Sequence, residues 1–376
     1  MTARRRPRVP IRPAVATLPA YVPGARTPVG AAAFKLTSNE IPYPPLPSVV
    51  AAIADAAQDV NRYPDMHATE LVEAIAARLA ATPEESLSGD VVPFRVTPEN
   101  VVAGNGSVAV LQHVLEAVID VGDEVVMPWR SFEAYPIVVA VAGGTAVPVP
   151  VREDGRLDLP AMAAAVTDRT RVVLVCSPNN PTGPVVHQDE LDAFLAQVPD
   201  DVLVVLDEAY VEFVRDPKVA DGLATMARHR NLVLVRTFSK AYGLAGLRVG
   251  YAVARKRIAR AVRATSTPFG VNHLAQSAAI ASLAVEGELL ERVERVVAER
   301  TRMVALLHEQ GWDLPDAQGN FVWFALGSAS AARAAEATAA GVLVRPFAGE
   351  GIRVSVGEPE ATDLLLKVSA GWLPRR

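Results

Sequence analysis

The chain has 376 residues, half of them hydrophobic and 21% charged, a length that exceeds one ordinary core and suits one large and one smaller domain. Its formal net charge of −5 provides no global basic field for nucleic acid. Cys176 is the single cysteine, which excludes an intrachain disulfide and any CxxC metal site and points to a reducing compartment.

The first 47 residues are rich in proline and carry Tyr21, Asn39 and Glu40. They read as an extended arm packed on another surface. Arg4, Arg5, Arg6, Arg8 and Arg12 cluster at its start and suggest a disordered segment, with an anion-binding tail as the alternative. The arm lacks the apolar core of a signal peptide, and no run approaches the ~18 apolar residues of a membrane span, so a cytoplasmic chain is expected. Apolar residues recur at helical spacing over residues 48–60 (Val49, Ile53, Ala56, Val60) and 69–80 (Leu71, Ile75, Leu79). Between them, Asn61-Arg62-Tyr63-Pro64-Asp65 reads as a turn.

From Asn100 onward strands and helices alternate, which predicts a mostly parallel α/β sheet in a large domain over residues 48–257. Val101 to Ala103 leads into Gly104-Asn105-Gly106-Ser107 and a helix. Glu124 to Met127 ends at Pro128-Trp129-Arg130-Ser131-Phe132, and a further strand covers Thr145 to Val151. Val172 to Cys176 runs into Ser177-Pro178-Asn179-Asn180-Pro181-Thr182-Gly183, and Val202 to Leu206 into Asp207-Glu208-Ala209-Tyr210. Each polar cluster begins where an apolar strand stops, and ligand crevices of open α/β sheets lie outside the carboxyl ends of the strands. One composite site is therefore expected there.

The next strand, Val233 to Val235, breaks into Thr237-Phe238-Ser239-Lys240, then a glycine-bearing loop that reaches Arg248. A lysine held in a closed site loses proton affinity and can form a Schiff base, while a hydroxyl and an arginine can grip a phosphate ester. In isolation the same residues also suit a loop lysine and a surface cation. After Tyr251 the pattern changes to helices over about 258–310, with a long amphipathic segment able to link two domains. Short strands follow at Phe321–Leu326, Val342–Arg345 and Ile352–Val356, with helices at Ala331–Ala340 and about 358–370. This reads as a small α+β domain over 258–376, joined by the arm of residues 1–47.

Individually, the polar groups carry two readings each. Gly104-Asn105-Gly106-Ser107 opens a helix and offers amides to a phosphate, or is an ordinary N-cap turn. It lacks the third glycine of GxGxxG and the lysine of a P-loop, so neither a dinucleotide nor a nucleoside triphosphate is its natural ligand. Asp207, at a buried strand end, needs a partner such as a protonated pyridine, or is a helix cap. Phe132, just past a strand, is placed to stack on a flat ring, or belongs to the core. Arg345 and Arg353 sit in or beside small-domain strands; Arg353 alternates with apolar neighbours and would suit a substrate carboxylate, or is a surface arginine.

Taken together, NNPTG, DEAY and TFSKAYGLAGLRVGY, in this order and spacing, closely resemble the class I/II pyridoxal-phosphate aminotransferases. The branch they resemble most is that of histidinol-phosphate and aromatic amino-acid aminotransferases, from about Tyr21 to the last helix. The resemblance implies pyridoxal 5'-phosphate as cofactor, a fold-type-I homodimer, and an amino acid and a 2-oxo acid as substrates. It implies Lys240 as the Schiff-base lysine, Asp207 on the pyridinium nitrogen, and Tyr210 with Asn180 on the ring oxygen. Ser107, the Val108 amide, Ser239 and Arg248 would bind the phosphate, and Phe132 would stack on the ring. Arg353 would take the substrate α-carboxylate, with Asn39, Tyr21 and Arg345 as further substrate contacts. Tyr63 would reach the phosphate in the neighbouring subunit.

Two departures stand out. The family's GNGSDE is Gly104-Asn105-Gly106-Ser107-Val108-Ala109 here, and its SNENPYG is Ser38-Asn39-Glu40-Ile41-Pro42-Tyr43-Pro44. For the substrate, an aromatic amino acid, phenylalanine first, ranks ahead of histidinol phosphate. Seven residues separate Arg345 from Arg353, a tight connection, and the run Trp129 to Pro136 offers Trp129, Phe132 and Tyr135 to an apolar pocket. Decarboxylase and β-eliminating lyase activities are compatible with the same cofactor motifs.

Overall fold

Hydrophobic periodicity is realised along most of the chain. The computed structural model describes Val9 and residues 11–18, 33–80 and 94–373. Tyr21 and the arginines Arg4, Arg5, Arg6 and Arg8 lie outside the described residues. Arg12 lies within them: its guanidinium donates to the Val141 carbonyl at 3.1 Å, just ahead of α1 (Pro13–Ala16). β1 (Phe34–Lys35) follows, then α2 (Pro47–Ala56) and α3 (Thr69–Ala80). The buried faces of these helices carry the expected stripe, Val49 and Ala56 in α2 and Leu71, Ile75 and Leu79 in α3.

The large sheet comprises β2 (Val101–Gly104), β3 (Glu124–Trp129), β4 (Thr145–Pro150), β5 (Thr170–Cys176), β6 (Leu203–Asp207), β7 (Leu232–Thr237) and β8 (Gly250–Val253). Their spatial order is β2-β8-β7-β6-β5-β3-β4, with β8 antiparallel to both neighbours and the other pairings parallel. Helices α4 (Ser107–Glu116), α5 (Tyr135–Ala142), α6 (Leu159–Ala164), α7 (Gln188–Leu195) and α8 (Gly222–Arg228) connect the strands. The central strands are buried on both faces, so they read as continuous apolar runs rather than alternating ones. Along β6, Val204 and Leu206 join one core while Leu203 and Val205 join the other, and Leu234 and Val235 of β7 divide in the same way.

The helical stretch after β8 resolves into α9 (Lys256–Thr265), α10 (His273–Ala284) and α11 (Glu286–Gln310). α9 packs on α4, and α10 packs on α2 and α3. The 25-residue α11 ends at Gly311, whose φ of +99° suits the left-handed turn that closes a helix. Its buried Arg300 donates to the carbonyls of Phe213 at 3.0 Å and Gly319 at 2.8 Å, pinning the helix to two separate loops. Beyond it, β9 (Phe321–Phe324), α12 (Ser330–Ala339), β10 (Val342–Leu343), β11 (Arg345–Phe347), β12 (Gly351–Ser355) and α13 (Pro359–Ser369) complete the chain. β11, β12 and β9 form an antiparallel sheet. β1 pairs in parallel with β10, so the N-terminal arm joins the C-terminal elements, although 308 positions separate Phe34 from its partner Val342.

Leu234 is fully buried in the middle of the sheet. Leu234→Ala leaves a cavity on that face, and urea unfolding should register a loss of about 2–5 kcal/mol. An unchanged midpoint would contradict the placement of this side chain.

Candidate active site

Five of the sheet's loops meet at one end. The parallel strands β2, β3, β5, β6 and β7 all terminate there, and their following segments surround a cavity of about 530 Å³. The small antiparallel sheet closes it from the other side through Arg345, Phe347 and Arg353. Of the residues singled out from the sequence, Ser107, Val108, Phe132, Asn180, Asp207 and Tyr210 line this cavity, as do Ser239, Lys240, Arg248, Arg345 and Arg353.

Asp207 ends β6, an entirely buried strand, and is itself 9% exposed. It accepts the Tyr135 hydroxyl at 2.7 Å and the Ala209 N–H at 3.2 Å. Burial pushes its carboxyl up to about 6, and these two bonds hold the shift back. Lys240 follows the adjacent strand, and its Nζ donates to the Ser38 carbonyl at 2.8 Å, 5.8 Å from the Tyr210 ring. Burial, reinforced by the charge of Arg353 and that of Arg248, pulls its ammonium down to about 7. Burial also raises the Tyr210 phenol above its ordinary range, against the pull of Arg353 and of Asn39.

The α4 N-terminus makes the second corner. Gly106, with φ at +86°, turns β2 into α4, and Arg248, itself left-handed at φ +59°, lies over that turn. Any Cβ on Gly106 would come within 2.4 Å of Arg248 Nη2, and one on Gly250 within 2.5 Å of the Ser107 nitrogen. Arg248 Nη1 donates to Ser239 Oγ at 3.2 Å. Helix-terminal amides, two hydroxyls and a guanidinium thus converge where an anion would be favoured. With a flat Phe132 ring, a buried carboxylate and a depressed amine beside it, this donor set fits a phosphorylated, protonated pyridine aldehyde.

The two adjacent asparagines divide their work. Asn179 is fully buried, accepts from Ser131 Oγ at 2.7 Å and donates to Thr182 and the Arg130 carbonyl, bracing the loop. Asn180 faces the cavity and accepts from Arg353 Nη1 at 2.6 Å. Arg353 also donates to the Thr37 carbonyl at 2.6 Å.

Two candidates stand outside the cavity wall. Asn39 is fully buried behind it, donating to the Tyr210 hydroxyl at 3.0 Å and bonded to Ser355 through both its backbone and side chain. Tyr63 is 82% exposed and stacks on Phe269 at 4.6 Å between ring centroids. The apolar pocket expected from Trp129, Phe132 and Tyr135 is corrected. Only Phe132 lines the cavity; Tyr135 is buried in α5 under Asp207, and Trp129 lies against the Arg130 guanidinium at 4.1 Å.

Sequence reasoning missed several residues that do line the cavity: Phe347, Glu133, Thr237 and Gln112. Phe347 was legible in principle, since it lies two residues beyond Arg345 on the same strand and so shares its face. Glu133 had no such signal, because its partner Arg345 is 212 positions away.

The family model "Aminotransferase class I and II" matches residues 32–368. An aromatic amino acid aminotransferase of Streptomyces avermitilis is 52% identical over 353 residues, covering 94% of each chain. Its namesakes from Thermobifida fusca and Mycobacterium avium are 52% and 47% identical; the alignments cover 97% and 100% of this chain and 98% and 99% of theirs. Among solved structures, histidinol-phosphate aminotransferase from Sinorhizobium meliloti in complex with pyridoxal-5'-phosphate superposes with a TM-score of 0.82 at 29% identity, covering 96% of this chain and 97% of that one. Aspartate aminotransferase from Thermus thermophilus gives 0.77 at 25% identity and 92% of each chain. With its mixed, mostly parallel sheet and a site that fits the group, this chain belongs to the class I and II aminotransferases and works with pyridoxal 5'-phosphate.

Proposed function

We propose that the protein is an aromatic amino acid aminotransferase, moving the amino group of an aromatic amino acid, phenylalanine first, to a 2-oxo acid such as 2-oxoglutarate in a ping-pong sequence. The names of the relatives support this reading. The observation that carries it is the state of Arg345: its guanidinium is held by the Glu133 carboxylate at 2.6 Å. Arg130, on the same side, is held by Glu350. A histidinol-phosphate enzyme must receive a phosphate dianion at the side-chain end of its substrate. Here Arg345 on the wall is already charge-paired, and Phe132, Phe347, Ile137 and Val138 supply apolar surface. An unpaired dianion moved into such a pocket is strongly disfavoured. The structural likeness to a histidinol-phosphate aminotransferase keeps that substrate as the second reading.

In this reading Asp207 holds the cofactor's ring nitrogen, Tyr210 and Asn180 its ring oxygen, and Phe132 one face. Ser107, the Val108 amide, Ser239 and Arg248 hold the phosphate. The cofactor, when bound, supplies the electron sink for a carbanion at the substrate's α-carbon. Lys240 holds the cofactor until the amino acid displaces it, and its Nζ then takes and returns the α-proton. Its depressed proton affinity keeps the neutral amine populated near pH 7. Arg353 receives the α-carboxylate. It donates to Thr37 O and Asn180 Oδ1, which orient the guanidinium. Asn39 acts on the substrate side through the Tyr210 hydroxyl, and Tyr21, outside the described residues, keeps its assignment as a substrate contact.

We place the homodimer contact at the exposed Tyr63–Phe269 stack, with Val60 and Met66 exposed near it in sequence, so that Tyr63 reaches the neighbouring subunit's phosphate. The large domain is assigned to 48–257 and the small one to 1–47 with 258–376. α10 of the latter lies against α2 and α3 of the former. No helix among the described residues is long and apolar enough to cross a membrane, and a cytoplasmic location is the reading we adopt.

Side-by-side kinetics should give a kcat/KM for phenylalanine at least about tenfold above that for histidinol phosphate, or about 1.4 kcal/mol of barrier. The reverse order would make this a histidine-pathway enzyme. Lys240→Met should abolish turnover, and it also tests the buried amine. The unfolded chain keeps that proton up to about 10.4, while the folded apoprotein releases it near 7. Folding of the wild-type apoprotein is therefore penalised in full below pH 7, and the penalty shrinks as pH rises toward 10. The stability advantage of the methionine variant should shrink over the same window; parallel pH profiles would contradict the assignment. Tyr135→Phe removes the hydroxyl donated to Asp207, and should lower turnover by about tenfold with cofactor still bound. Unchanged turnover would reduce Tyr135 to a packing residue.

A further inference from the structure

The large sheet has a second concave surface, at the end away from the cavity. Because β8 runs antiparallel to β7 and β2, its carboxyl end lies beside the amino ends of both, with Val253 opposite Val101 and Leu234. Arg255 follows that end of β8, Arg230 precedes β7, and Phe94, Arg95 and Asn100 precede β2. With Lys256, the first residue of α9, they line an open basin of about 490 Å³. The length of β7, about 17 Å of strand, stands between this basin and the end that carries Lys240.

Every charged residue of the basin wall is a cation. Lys256 is paired with Glu99, whereas Arg95, Arg230 and Arg255 have no ion pair among the described residues. The Arg255 guanidinium lies over the Phe94 ring at 4.3 Å and donates to the carbonyls of Met226 and Ala227. Its Nε is buried with no hydrogen-bond partner among the described residues. Burial, reinforced by the charge of Arg230 beside it, pulls the proton affinity of Arg255 down, as expected for a cation short of an opposite charge. Asn100 braces the floor by donating to the Ala254 carbonyl at 2.9 Å. α9 adds to the imbalance. Arg255-Lys256-Arg257 stand at its N-terminus, where the helix dipole already disfavours cations, and its first turn has no acidic residue. In a chain of net charge −5, cations gathered where they repel one another break a local rule without a structural gain.

We propose that this basin binds a compact polyphosphate anion, of the inorganic diphosphate class, at a site remote from the reacting centre. Three guanidinium groups without an ion pair exceed what a single carboxylate can satisfy. Their forked N–H groups match the paired oxygens of phosphoryl groups. The cations also converge on one basin from three separate segments rather than forming a track, which favours a compact anion over a nucleic-acid backbone.

The test is calorimetry on the holoenzyme at about 0.15 M salt. Wild type should bind inorganic diphosphate with a Kd below about 1 mM. Arg230→Gln and Arg95→Gln remove side chains that hold no printed structure together at the cavity end, so each should keep the wild-type kcat/KM. Each should nevertheless weaken diphosphate binding by at least about fivefold. Arg257→Gln, on α9 but outside the basin, should change it by less than about twofold. A wild type that binds no diphosphate would overturn the inference; the same result is expected if Glu84, Glu85 and Asp90, outside the described residues, satisfy these cations. Binding that survives both basin variants would overturn it too, as would equal weakening by Arg257→Gln. A short DNA duplex that binds more tightly than diphosphate would replace the compact anion with nucleic acid.

Discussion

Desolvation of two groups of opposite charge type governs this site. Asp207 ends one strand and Lys240 follows its neighbour, and the apolar runs of both carry them out of water. Burial disfavours the charged form of each, raising the carboxyl to about 6 and lowering the amine to about 7. The result is a pair of proton sites that titrate close together near neutrality, although their ordinary values lie more than six units apart. A ligand that brings a protonated ring nitrogen to one and a carbonyl carbon to the other meets both demands at once. Tyr135, which gives its hydroxyl to Asp207 from inside the core, keeps the carboxylate usable while this strain persists.

The N-terminal arm and the C-terminal sheet are coupled to that pair by polar contacts of long sequence reach. Asn39 joins Tyr210 to Ser355, Thr37 and Asn180 both receive Arg353, and Ser38 receives Lys240. One short segment, residues 37–39, therefore touches the Lys240 amine, the Tyr210 phenol and the Arg353 guanidinium. The left-handed Asn39, at φ +55°, aims these groups from a backbone that asparagine tolerates better than most residues. Displacing that segment would disturb all three side chains together.

The sheet was legible because its signal is local. Apolar runs marked β5, β6 and β7, and the polar residues at their ends marked one crevice, which the structure places around a single cavity. The resemblance supplied expectations that no run of residues could, such as Tyr63 reaching a neighbouring subunit. What escaped was set by contacts across long stretches of chain. Tyr135 read as a pocket aromatic because its position on α5 was invisible, and only the packing of that helix turns its hydroxyl toward Asp207. The bond from Asn39 to Tyr210 was invisible for the same reason. The division between Asn179, which braces its loop, and Asn180, which faces the cavity, depends on Ser131 and Arg353, from distant parts of the chain.

The antiparallel strand β8 has a consequence for how the molecule is made. β2 lies at the edge of the sheet, and β8 is its neighbouring strand there. Val101 pairs with Val253, 152 positions later. As the chain leaves the ribosome, the segment that will carry Ser107 waits unpaired until nearly all of the large sheet has been synthesised. Arg248, on the way into β8, arrives at almost the same moment. Non-local pairing of this kind is slow to form and exposes unpaired strand edges meanwhile. The corner of Ser107 and Arg248 is thus among the last parts of the large sheet to take shape, completed only after the rest of that sheet has been made.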